Sequence, residues 1–343
     1  MLTLQSSLCN FLSILPVAVL RQILIKMWLS IRSIVTYIVF AVVIDQLARI
    51  AYMMGFHKTV YTHYPGKCRA LPGIENGSED IVTSSNGLAF ISAGVLKAFE
   101  PDQDILDNPT LTLYVINRHP DRIGIEVFDF SYQKKIPTLT HQRRIHHKNI
   151  WSPNDLVLVD ENHFYASNDK YLPEPFNMLE VFFRLGLASV VYYDGEEARI
   201  VAEGVKLANG VNISPDKKLL YVAGTIGNEL LVYRIQNYGN LVQAKAIQLG
   251  TSPDNINIDK EDGSVWIGNN PVMYHFFNQL GKFTGVGQVL NMHLDKKLNP
   301  TIREVLSDNT GLIRYCSVAC RYGNRLLIGT VADKAAYCEG VTF

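Results

Sequence analysis

Two hydropathy regimes divide the chain. Near the N-terminus, Leu8–Leu20 and Met27–Ile44 are almost wholly apolar, interrupted only by Arg21, Gln22, Lys26 and Arg32. The Met27–Ile44 stretch of 18 residues lies at the low end of the roughly 17–25 that cross a bilayer. Tyr52 and Phe56 extend it as interfacial aromatics. This pattern predicts one membrane anchor over 27–56, preceded by a cytoplasmic or interfacial segment over 1–26. A cleaved signal peptide is the alternative. The length of the apolar region, its basic interruptions and the lack of a small-x-small site before Asp45 favour the anchor. Arg21, Lys26 and Arg32 precede the uninterrupted run, whereas only Arg49 and Lys58 follow it nearby. That bias keeps the N-terminus cytoplasmic and translocates the rest, a single-pass type II arrangement.

From Glu79 onward the pattern changes to short runs of Val, Ile, Leu, Tyr and Phe, punctuated by Gly, Pro, Asn and Asp about every eight to twelve residues, which predicts strands and tight turns. Val157–Ala166, Leu219–Ala223, Leu230–Ile235 and Val265–Gly268 read as strands, and Pro175–Leu187 is the one helix-like stretch. A longer pattern recurs five times: a polar pair, apolar alternation, an Asp-rich turn, then a β-branched or aromatic run ending in a small residue. The copies begin at Glu79-Asp80, Asn154-Asp155, Asn209-Gly210, Asp254-Asn255 and Ser317. Spacings of roughly 45–75 residues suit the blades of a β-propeller. A sandwich with similar hairpins is the alternative architecture. In a propeller the polar pairs gather at one end of the central channel.

Composition narrows the partners. Lys plus Arg and Asp plus Glu are 32 each, so no bulk field draws in nucleic acid or a polybasic contact. The five cysteines are Cys9, Cys68, Cys316, Cys320 and Cys338. Cys68 and Cys338 bracket the globular region, a placement that suggests a staple in an oxidising compartment. Cys316 and Cys320 share a strand face too far apart to bridge and read as buried thiols.

The recurring pairs supply Glu79, Asn154, Asn209, Asp254 and Asn255, all oxygen donors of the kind a hard cation such as Ca²⁺ prefers. Asp80 and Asp155 flank them and can serve a second ion. His141, His146 and His147 fall in a polar connector rich in Arg and Lys and read as a solvated outer strand or loop. The sequons at Asn76 and Asn212 permit lumenal glycosylation, with Asn76 the better candidate and Asn212 inside the repeat.

Residues 66–343 are the expected propeller domain, and about residues 66–338 of it resemble the paraoxonase/arylesterase family in GIENGSEDIVTSSNGLAFIS, VINRHP, HFYASNDKY, VVYYD with VAEG, LANGVNISPDKKLLYVA, SPDNINID with VWIG, and LLIGTVADKAAYCE. The resemblance implies an all-β, six-bladed propeller carrying one or two calcium ions, here with one blade truncated: between Phe99 and Leu113 the chain is about forty residues short, most of a blade. It further implies that Glu79, Asn154, Asn209, Asp254 and Asn255 hold a catalytic calcium. By the same resemblance Asp80 and Asp155 hold a structural calcium, and Cys68 and Cys338 form a ring-closing disulfide. His119 matches the second histidine of the family's water-activating pair, with Arg118 inserted beside it; the first histidine belongs to the missing stretch. Asn269, Asn270 and Lys170 depart from the family pattern, and the helix-like Pro175–Leu187 resembles its lipid-facing helix.

Two functions follow from the resemblance. One is a membrane-anchored accessory protein, similar to nematode paraoxonase-like proteins, that assists folding, assembly or surface delivery of degenerin/epithelial sodium channel-type subunits at the endoplasmic reticulum or plasma membrane. The other is a calcium-dependent arylesterase or lactonase.

Overall fold

The computed structural model describes residues 17–74, 77–83, 89–92, 97–98, 110–133, 136–277, 285–331 and 333–341. Asn76 and Cys9 lie outside them. Two compact units result, one ending at Ala51 and one running from Tyr52.

The first unit is a helix, α1 (Val17–Met54), whose last turn belongs to the second unit. Its 38 residues rise about 57 Å. The apolar window Leu24–Met54 is long and apolar enough to cross a membrane and exposes Trp28, Tyr37, Phe40 and Leu47. The helix runs on past Ile44, the end of the uninterrupted apolar stretch, with polar groups satisfied within it. Arg49 Nε pairs with Asp45 one turn back at 2.7 Å. Ser33 and Thr36 hydroxyls donate to the carbonyls of Leu29 and Arg32 at 2.9 and 2.8 Å, as hydroxyls in apolar helices do.

The second unit is a β-propeller. Strand β1 (Lys67–Ala70) comes first, followed by a small sheet of β2 (Ile81–Thr83), β3 (Ala89–Ile91) and β4 (Lys97–Ala98). A three-stranded blade contains β5 (Thr110–Asn117), β6 (Gly124–Gln133) and β7 (Ile136–Ile145). Three four-stranded blades follow: β8 (Pro153–Leu158) to β11 (Ala198–Val205), β12 (Ala208–Ile213) to β15 (Leu241–Gln248), and β16 (Ser252–Ile258) to β19 (Pro300–Asp308). In the last blade β20 (Cys316–Tyr322), β21 (Arg325–Thr330) and β22 (Ala336–Glu339) take β1 as their outer strand.

The expected count of six blades is therefore corrected to five, four of them four-stranded and one three-stranded. The strands of β2–β4 are two or three residues long, too short to make a blade of the remnant left by the missing stretch. The consequence shows in the packing. Full blades share interfaces of many fully buried side chains, such as the cluster of Leu230, Val232, Val265, Ile267 and Met292. Between β2–β4 and β5–β7, the buried pair among the described residues is Phe90 against Phe130, edge to face at 5.1 Å.

Strand burial explains the sequence pattern. Middle strands such as β17 (Val265–Asn270), β9 (Phe164–Asn168) and β10 (Ala188–Tyr193) are buried at every position, because a blade has neighbours on both faces. Outer strands such as β15 expose most of theirs. Val157–Ala166, expected as one strand, is the end of β8, a turn and the start of β9. The turn forms because Asp160 Oδ1 accepts from the backbone N–H groups of Asn162 and His163, both at 3.0 Å.

The ring is closed twice. Cys68 and Cys338 face each other in register across β1 and β22 and form a disulfide spanning 270 residues. The segment after α1 straps onto the blade of β16–β19: Phe56 stacks on Tyr274 at 4.5 Å, Lys58 Nζ donates to the Gly250 carbonyl at 2.5 Å, and His63 bridges Ser307 in both directions. Helix α2 (Asn177–Phe183) lies within the expected helical stretch, and its neighbourhood exposes Phe176, Phe182 and Phe183.

Candidate metal centre

The inner strands begin at one end of the channel, and their first residues are the recurring polar pairs. Backbone contact between blades brings them together. Gly210 in β12 approaches β16 so closely that a Cβ there would lie 2.6 Å from Asn255 Cα and 2.8 Å from the Asp254 carbonyl oxygen. Only glycine fits between Asn209 and Val211 at this approach.

The amide nitrogens and several carboxylate oxygens stitch the ring. Asn255 Nδ2 donates to the Glu79 carbonyl at 2.8 Å, to Glu79 Oε1 at 3.2 Å and to Ser317 Oγ at 3.1 Å, while Ser317 Oγ donates to the same Glu79 carbonyl. Asp155 Oδ2 accepts from Val211 N at 2.7 Å, its Oδ1 from Leu156 N at 2.7 Å, and Asp80 Oδ1 from Ile81 N at 2.8 Å. Asn212 is held by its Nδ2 bond to the Ile256 carbonyl at 2.9 Å.

The amide oxygens are left over. Oδ1 of Asn154, Asn209, Asn255, Asn269 and Asn270 is buried with no hydrogen-bond partner. An orphaned buried acceptor costs about 1–3 kcal/mol, so each of these amide oxygens favours a water or a cation beside it. The carboxylates agree. Glu79, Asp80 and Asp155 keep part of their surface open to the channel but are enclosed by protein, whereas Asp254 is buried outright. Burial, then the Asp80 charge, pushes the Glu79 carboxyl up to about 7. Burial raises Asp80. Burial and the neighbouring carboxylates hold Asp155 and Asp254 well above the usual carboxylate range. Among the described residues no three His, Cys, Asp or Glu side chains form a metal-binding group by themselves. The fit to a cation rests on the mixed set of amide and carboxylate oxygens, the chemistry of a hard ion.

His119 is not among these residues. Its side chain is 63% exposed, and its Nδ1 accepts from Asp121 N at 3.4 Å, capping the 3-10 turn Pro120–Arg122. Arg118 beside it is exposed too, with 45% of its side chain accessible. Its Nη2 donates to Asp169 Oδ2 at 2.7 Å. Asp169, 6% exposed, follows β9 and is tied to the start of β8 by its N–H to the Ser152 carbonyl at 2.9 Å and by the Ser152 hydroxyl, which donates to Oδ1. The sequence reading noticed Arg118 only as an insertion and Asp169 only within a motif; the signal was the polar run flanking them. Lys170 stands 3.9 Å from the same carboxylate. His141 belongs to the outer strand β7 and pairs with Glu126 at 2.8 Å, while His147 pairs with Glu197 at 3.0 Å. Cys316 and Cys320 are buried free thiols, and burial pushes them up to about 12 and about 11.

The fold is a disulfide-closed β-propeller, with buried amide and carboxylate oxygens on its inner strands. The arylesterase family model matches residues 103–340, and the chain belongs to the paraoxonase/arylesterase family. It is 35% identical to serum paraoxonase/arylesterase 2 of Rattus norvegicus over 79% of this chain and 88% of that protein. It is 34% identical to serum paraoxonase/arylesterase 1 of Homo sapiens over the same shares, and 31% identical to serum paraoxonase/lactonase 3 of Rattus norvegicus over 80% and 89%. A luciferin-regenerating enzyme shares the fold with a TM-score of 0.51 at 12% identity, over 80% of this chain and 96% of that one.

Proposed function

We propose that the chain is a membrane-anchored, calcium-binding member of its family that acts as an accessory protein rather than a hydrolase. It would assist folding, assembly or surface delivery of degenerin/epithelial sodium channel-type subunits from the lumenal or extracellular side. The observation that supports this reading is the split at the channel mouth. The orphaned oxygens of Asn154, Asn209 and Asn255 and the carboxylates of Glu79 and Asp254 are retained. The one histidine matched to the family's pair turns to solvent, and Arg118 beside it pairs with Asp169.

On this reading Glu79, Asn154, Asn209, Asp254 and Asn255 hold one calcium, and Asp80 and Asp155 hold a second. A bound calcium supplies charge compensation to the ring and polarises any carbonyl oxygen placed on it. Arg118 cannot take a proton from water, since a guanidinium stays protonated. The type II anchor follows from Arg21, Lys26 and Arg32, which precede the uninterrupted apolar run Ser33–Ile44, and Asn76 is the proposed glycosylation site.

The second reading is a calcium-dependent arylesterase or lactonase, favoured by roughly one-third identity to named arylesterases over most of the chain. Phenyl acetate and lactone hydrolysis by the full-length protein in detergent, with and without chelator, decides between them. Chelator-sensitive turnover lost in Asn209→Ala and Asp254→Ala overturns the accessory reading. No turnover, with channel subunits co-purifying from cells that express them, overturns the hydrolase.

A further inference from the structure

The free edge of β2 is bonded to a strand that is not its neighbour. Strand β2 comes first in its sheet and pairs with β3 on one side. The Asp80 carbonyl accepts from Ser92 N at 3.0 Å, so the alternation of an extended chain turns the carbonyls of Glu79, Ile81 and Thr83 to the other edge. All three accept from side chains on β16 or just beyond it. Asn255 Nδ2 donates to the Glu79 carbonyl at 2.8 Å, Asn257 Nδ2 to that of Ile81 at 3.3 Å and Lys260 Nζ to that of Thr83 at 3.0 Å. Strand β20 packs against both β16 and β2 and stands between them in the ring, so the three bonds cross channel space. Residues 255, 257 and 260 meet 79, 81 and 83 in ascending order, and the two segments therefore run parallel. Two residues of extended chain rise about 7 Å on each side, which matches the first two rungs, and the long lysine takes up the extra residue at the third.

Small clusters hold the rest of this sheet. Phe90 meets Phe130 on the side of β5–β7. On the other side Ile81 and Ile91 cover Val318 and Cys320, and Thr83 Oγ1 lies 3.6 Å from Cys320 Sγ. We propose that β2 and β3 form a flap in the channel wall, latched to β16 by Asn255, Asn257 and Lys260, and that release of this latch opens the ring and withdraws Glu79 from Asn255. The latch supplies what a full blade obtains from wide apolar faces, which strands of three residues cannot bury. None of its three bonds needs a cation, so the flap stands whether or not calcium occupies the mouth. Asn257 and Lys260 lie outside the set matched to the ion and can be changed without removing a member of it.

Labelling of the full-length protein in detergent with N-ethylmaleimide, mapped by mass spectrometry, reads the flap, because opening uncovers Cys320 while Cys316 stays under Trp266, Val289 and Leu306. Hydrogen exchange of peptides over β2 and β3 is the second readout. Loss of one such bond, with its acceptor left unsatisfied, raises the open population about fivefold. Asn257→Ala should therefore label Cys320 about fivefold faster, and Asn257→Ala with Lys260→Met about twentyfold faster. Lys260→Arg keeps a donor of similar reach and should stay within about twofold of wild type. Exchange over β13 (Leu219–Gly224) and β17 should not move. Unchanged Cys320 labelling and unchanged exchange over β2 and β3 in the double variant overturn the latch. Equal acceleration of Cys316 and Cys320, or faster exchange in β13 and β17 as well, overturns it too, since the substitutions then loosen the whole propeller. If the double variant does not fold, Asn257→Ala alone carries the same comparison.

Discussion

Ring closure by Cys68–Cys338 makes a measurable demand on stability. The bond joins residues 270 apart. In the chain-entropy account a loop of that length removes roughly 19 cal/mol/K from the unfolded ensemble, or about 5.6 kcal/mol at 25 °C. A unit of the size of Tyr52–Phe343 gains roughly 0.6 kcal/mol/K of entropy at its midpoint, so the double substitution Cys68→Ser with Cys338→Ser should lower Tm by about 9 °C. The β1–β22 ladder itself stays, since its register does not need the bond. The measurement is differential scanning calorimetry on full-length protein in detergent, with wild type under reductant as a second route to the same state. Thiol exchange does not confuse it: Cys316 and Cys320 are buried and held protonated far above neutral pH. A drop of less than about 2 °C would refute the reasoning, because it would mean that strap and ladder confine the chain ends in the unfolded state or hold them without the bond.

Three further outcomes follow from local structure. Burial alone would raise the Glu126 carboxyl, but hydrogen bonds from Asn117, Arg144 and His141 hold it at about 2 against an ordinary 4.5. Its contribution is therefore complete above pH 4.5 and is lost as pH falls toward 2; a Tm difference between wild type and Glu126→Gln that stays constant over that window contradicts the network. Gly210→Ala places a methyl against the backbone of Asp254–Ile256, which cannot yield. It should cost about 1–3 kcal/mol and weaken calcium binding as well, and an unchanged Tm would mean that β12 moves freely past β16. In hydrogen exchange, amides of β2–β4 and β5 should open before those of β13 (Leu219–Gly224) and β17, since Phe90 and Phe130 are the buried pair at that junction; equal protection would show a junction as strong as the full blades.

How far the sequence carried depends on which physical signal each feature leaves in it. Strands buried on both faces are rich in apolar residues, so Leu219–Ala223 in β13 and Val265–Gly268 in β17 were legible as runs, and the helix over Pro175–Leu187 by its different period. The recurring polar pairs were legible as a pattern because each recurs at or near the start of an inner strand. The number of blades was not, because it depends on whether the short strands left around a missing stretch can bury enough surface to stand as a blade, and β2–β4 cannot.

His119 and Arg118 show why a matched residue type is weaker than a matched ring. Four of the five residues sit in inner strands, at the irregularities that follow Pro153, Ala208 and Pro253, and Glu79 lies two residues before β2. His119 sits two residues beyond β5, outside the ladder, where an inserted residue changes the direction of the side chains that follow. Asn117 holds that turn, donating to Glu126 and accepting from the His119 N–H. On the proposed reading the chain keeps the oxygens that would hold an ion, while His119, the one histidine matched to the family's pair, stands 63% exposed on the turn after β5.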